Sequence, residues 1–77
     1  MSLLLPQTRA GAVRSAVPVD IHGDRFVDLA VVLDGEPGPP ATGRVSATEC
    51  PAGLVPGDRV SVRFVMGVMV KVAREGA

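Results

Sequence analysis

LVPGDRVSVRFVMGVMVKVAR, residues Leu54 to Arg74, is the segment whose reading decides the fold. Val60, Val62 and Phe64 alternate with Ser61 and Arg63, and Val68, Val70 and Val72 alternate with Met69 and Lys71, so each half presents one apolar face and one mixed face. Two such runs joined at Gly67 predict a β-hairpin. Pairing Phe64 with Val68, Val62 with Val70 and Val60 with Val72 leaves Val65-Met66-Gly67 as a three-residue loop with glycine in the left-handed position. A two-residue Met66-Gly67 loop would set Arg63 on the face of Val70, so the three-residue loop is the expected one. Upstream, Pro56-Gly57 is set for a type II turn that launches the hairpin.

The remaining chain reads in the same period. From Ala12 to His22, Val13, Val17, Val19 and Ile21 form an inward set, and Pro18, which cannot donate to a ladder, marks an edge or a bulge. His22-Gly23-Asp24-Arg25 is a turn by composition. Phe26 to Asp34 places Val27, Leu29, Val31 and Leu33 inward and Phe26 outward. Asp34 to Pro40, DGEPGPP, is a loop. Ala41 to Thr48 is a third strand whose inward Gly43, Val45 and Ala47 suit a close approach of backbone or ligand. Glu49 to Asp58 connects it to the hairpin, with Leu54 and Val55 as apolar plugs.

Five short strands predict an all-β fold, a small OB-like Greek-key barrel with an SH3-like barrel as the alternative. Residues 1–9 form an N-terminal arm, flexible or packed, and residues 10–77 a single barrel domain. Composition agrees: 47% of the 77 residues are hydrophobic, and fourteen of them are valines against two phenylalanines. Valine favours a pleated surface. A chain this short builds a small core, which makes association with other chains a natural supplement.

Eight basic residues balance eight acidic ones, so the bulk field of a non-specific nucleic-acid binder is missing. One cysteine excludes an internal disulfide and a cysteine-based zinc ribbon, and Leu3 to Leu5 is too short for a signal-peptide core or a membrane span. The cytoplasm is the expected compartment. Asp20-x-His22-x-Asp24 has metal-ligand character but lacks the third or fourth ligand that zinc normally takes, and Cys50 has only His22 as a potential base. No metal site, cofactor or catalytic residue is expected, and the chain reads as no enzyme.

Two surfaces carry the binding expectation. Arg44, Arg59, Arg63 and Lys71 project outward as a stripe fit for phosphates, and Phe26 is the one outward ring on which a base could stack. Leu3, Leu4, Leu5, Val65, Met66 and Met69 form an apolar set outside the barrel, fit for a protein partner or a second copy.

Several of these pieces together resemble the acyl-CoA-associated OB-fold family. The matching residues are Ala12-Val13-Arg14-Ser15, Leu29-Ala30-Val31-Val32-Leu33-Asp34-Gly35, Gly43-Arg44-Val45 and the Leu54 to Phe64 close. The family's cysteine-rich ribbon is missing here. The last hairpin alone is similar to the C-terminal OB domains of NfeD-like proteins. The first resemblance implies an accessory module beside thiolase-type enzymes, with a CoA thioester as possible partner through Arg44, Arg59 and Arg63. The expected task is therefore non-catalytic binding through protein association, with single-stranded nucleic-acid binding and a purely structural homo-oligomer as alternatives.

Overall fold

The computed structural model describes residues 5–75. Five strands and one 3-10 turn follow in order: β1 (Gln7–Ile21), β2 (Asp24–Leu33), β3 (Ala41–Ser46), the turn Ala47–Glu49, β4 (Arg59–Val65) and β5 (Val68–Arg74). All belong to one antiparallel sheet in the order β3-β2-β1-β4-β5. Three strands joined by hairpins and a fourth that returns beside the first make a Greek key. The sheet curls until its edges β3 and β5 pack on each other, giving a small barrel-like fold. Among the described residues that seam is closed by side chains, with no ladder across it.

The interior is aliphatic. Val13, Leu29, Val31, Leu33, Val45, Leu54, Val60, Val62, Phe64, Met69 and Val72 are buried, and among the described residues no polar residue is buried with them. Each contributes about 1.5–3 kcal/mol by leaving water. Val31, Val60 and Val62 are fully enclosed, because β1, β2 and β4 form the middle of the sheet.

The expected inward set of β2 holds, with Leu29, Val31 and Leu33 buried and Val27 packed against the core. Gly43 does mark a close approach: a Cβ there would lie 2.8 Å from Cβ of Met69, so the side-chain-free residue lets β5 press against β3. The third strand ends at Ser46, whose hydroxyl accepts from the N–H of Thr48 and starts the 3-10 turn. Pro56-Gly57 forms the expected type II turn, with Gly57 at φ 95° and the N–H of Asp58 donating to the carbonyl of Val55 at 3.1 Å. Leu54 is buried as a plug, whereas Val55 is exposed.

Two phases differ from the sequence reading. In β5 the turn is the two-residue Met66-Gly67, with φ of 54° and 77°, the mirror-image turn that suits a twisted hairpin. Val65 pairs with Val68 and Phe64 with Met69; then Val70 bulges, so that Arg63 still meets Lys71 and Val62 meets Val72. The extra residue removes the conflict that argued against the short turn. The short turn exchanges the faces: Met69, opposite Phe64, is buried at 2% exposure, while Val68 and Val70 are outside, and the bulge returns Val72 to the inner face. In β1 the bulge falls between Val13 and Ser15, which sends Val17 outward at 54% exposure and turns Ala16 toward the core. β1 itself starts earlier than the sequence pattern indicated, at Gln7, and pairs with β4 through Ala12.

Candidate functional site

The basic stripe is divided by local ion pairs. Arg44 on β3 lies across from Asp28 on β2, and its guanidinium grips that carboxylate through Nε at 2.7 Å and Nη2 at 2.9 Å. The hydrogen bond from Arg44 holds the Asp28 carboxyl below its usual pKa, and the Asp28 hydrogen bond raises that of Arg44. Arg59, the first residue of β4, bonds both carboxylate oxygens of Asp34 at the end of β2 and reaches Glu75 at 3.4 Å. Hydrogen bonding from Arg59 likewise depresses Asp34, and Arg59 itself is held still more firmly charged.

These pairings come from the sheet order: β4 lies beside β1, and Arg59 falls opposite Ala12, next to the end of β2. Arg44 and Arg59 are thus committed within the chain. Arg63 and Lys71 remain, directly opposite each other on β4 and β5, two exposed cations with no acidic partner among the described residues. Phe26 does not join them. It pairs with Val19 near the far end of β1, whereas Arg63 pairs with Thr8 at the start of that strand, and Phe26 is half-buried in a cleft.

The apolar set is only partly as expected. Leu3 and Leu4 lie outside the described residues. Met69 is a core residue, because the two-residue turn sets it opposite inward Phe64, over Gly43. Val65 is half-buried. Leu5 and Met66 stand out at 68% and 69% exposure, and Val68 joins them at 58%. The β1–β4 ladder begins at Gln7 opposite Phe64, two residues after Leu5 and two before Met66. Val68 was not legible as a surface residue, since its face is set by the length of the turn, which alternation alone does not declare.

At the opposite end of β1 lies a cleft of about 330 Å3, between the β1–β2 hairpin and the connection that follows the 3-10 turn. Ala16, Pro18, Phe26, Cys50, Ala52 and Leu54 contribute to its walls. Its polar rim is an exposed pair, Arg25 Nε to Asp20 at 3.5 Å. The connection is anchored from below by Arg74, which donates to the carbonyl of Ala52 at 3.0 Å and to Asp58 at 3.2 Å. Burial pushes the Cys50 thiol up against a smaller opposing pull from Arg74, so it is neutral at pH 7 and a poor nucleophile.

His22 occupies the turn in the left-handed region at φ 51°, and Asp20 faces Arg25; no group of three or more metal-ligating side chains comes together among the described residues. No described helix is long and apolar enough to cross a membrane. Comparison with protein-family models, with curated proteins and with solved structures returns no match.

Proposed function

We propose that this chain is a non-catalytic OB-like binding module that works in the cytoplasm through protein association, first of all with a second copy of itself. The strand order β3-β2-β1-β4-β5 with β3 against β5 is what a five-stranded OB barrel requires, and supports that reading over an SH3-like barrel. The observation that carries the function is the apolar tip: Leu5, Met66 and Val68, each more than half exposed, gathered at the end of a small domain. Met66 adds to this, since a large apolar residue holds a left-handed turn position where asparagine or glycine would be easier.

Light scattering at tens of micromolar tests the reading. The expected result is a mass above the 7.9 kDa of one chain, returning to one chain in Met66→Asp and Val68→Asp. A wild type that stays monomeric throughout would sink self-association.

The link to acyl-CoA or thiolase-type enzymes is part of the same proposal and rests on the family resemblance. With Arg44 and Arg59 tied to carboxylates, Arg63 and Lys71 are the pair available to a CoA phosphate. The same two cations support a second reading, phosphate contacts to single-stranded nucleic acid. That reading expects affinity for an oligonucleotide to fall steeply with salt.

A further inference from the structure

β4 pairs with β1 only as far as Ala12, and the connection adds one more step, the N–H of Val13 donating to Asp58 at 2.9 Å and its carbonyl accepting from Gly57 at 2.8 Å. Beyond that point β1 continues to Ile21 with β2 on one side and nothing laddered on the other.

Which backbone groups this leaves free follows from hairpin parity. A two-residue turn is flanked by a pair that exchanges both hydrogen bonds, here Ile21 and Asp24. Alternate pairs then bond in the same way: Val19 with Phe26, Val17 with Asp28 and Ser15 with Ala30. The residues between them, Ala16, Pro18 and Asp20, direct their backbone groups away from β2. Pro18, which has no N–H, stands where no ladder donor is lost. Among the described residues no backbone bond outside the strand pairings reaches these three. The free edge therefore offers the N–H of Ala16 and Asp20 and the carbonyls of Ala16, Pro18 and Asp20, and it forms one wall of the apolar cleft.

We propose that this edge binds an extended, uncharged polypeptide segment by strand addition, antiparallel to β1 and in line with β4, with alternate apolar side chains seated in the cleft. Three observations select this occupant. The exposed main-chain groups match a strand. The space continues a ladder that β4 has already begun. The only charges at the rim, Asp20 and Arg25, neutralise each other and leave no net charge to recruit an ion. The site lies at the other end of β1 from the Met66 tip, so it stands or falls apart from the association proposed above.

The test uses the full chain carrying Met66→Asp, which takes the tip out of play, and a capped, fluorescein-labelled peptide of alternating valine and threonine. Anisotropy should show saturable binding with Kd below about 1 mM. N-methylation of alternate peptide nitrogens should weaken it at least about tenfold, because the ladder bonds are removed. Amide exchange at Ala16 and Asp20 should slow on binding. Ala16→Pro removes one edge donor, and Ala52→Glu, at an exposed position on the opposite wall, puts a charge in the cleft; each should weaken binding to a similar extent. Ala52→Glu carries the test if Ala16→Pro does not fold. Absence of saturable binding, equal affinity for the N-methylated peptide, or indifference to Ala52→Glu would overturn the proposal.

Discussion

The two hairpins that meet in this sheet are built from the same parts and put them to opposite use. Each turns through two left-handed residues, His22-Gly23 in one and Met66-Gly67 in the other, and each carries one bulge. In β4–β5 the short turn puts Met69 opposite Phe64 and so into the barrel, over Gly43, and the bulge at Val70 returns Val72 to the inner face. In β1–β2 the bulge beside Arg14 moves Val17 out and brings small Ala16 in, so the far half of the hairpin encloses a cleft. One extra residue keeps a valine in the core in one case and delivers only an alanine to it in the other. The outcome depends on which side chain the shifted phase delivers, and that is the specific lesson of the pair.

The most damaging way to break the comparison is Met69→Ala, which should lower stability by about 2–5 kcal/mol in urea unfolding, while Val70→Ala changes it by no more than about 0.5 kcal/mol. The three-residue loop, which turns Val70 inward and Met69 outward, predicts the reverse ranking. Next comes the seam. Gly43→Ala should cost about 1–3 kcal/mol, since its methyl meets Met69 at the Cβ and not at a flexible end. In a double-mutant cycle, Met69→Gly, which removes that Cβ, should relieve much of the cost, and strict additivity would mean that the two residues do not touch.

The turns give a smaller effect of opposite sign. Met66→Asn should raise the unfolding free energy by up to about 1 kcal/mol by easing the left-handed conformation, and should at the same time reduce the scattering mass of the wild type. His22→Asn, with the same backbone, should stabilise without changing the mass. A stabilised Met66 variant that associates as before would separate turn strain from association.

The smallest effects concern the charges, which pin the base of β4–β5 to β2 through Arg59, Asp34 and Glu75. Asp28, Asp34 and Asp58 have folded pKa values below their ordinary ones, chiefly through hydrogen bonds from Arg44, from Arg59 and from the N–H of Val55, respectively. Their contribution is complete above the unfolded value near 3.9 and is lost as pH falls through the lower folded values. Acid titration of Asp34→Asn should therefore show a shallower loss of stability below about pH 4 than the wild type, and added salt should narrow the gap.

Much of this fold is legible in the residues. β2 lacks a bulge, so period-two alternation identifies Leu29, Val31 and Leu33 without error, and Pro56-Gly57 declares its own turn. β1 and β5 were misphased because a bulge in one and the turn length in the other are properties of pairing, and valine is equally at home on either face of a pleat. The stripe was legible as charge but not as chemistry. Arg44 and Arg59 find their carboxylates sixteen and twenty-five residues away, at distances that only strand order can close. The cleft had one visible trace, Pro18.

That proline has another consequence. A free strand edge invites identical chains to zip together one after another, as in cross-β stacking. With no donor at Pro18, two such edges laid side by side in antiparallel register about that residue lose the bonds at their centre. Growth by repeated addition is discouraged there, so the edge can be left open to a single visitor without becoming the seed of a fibre.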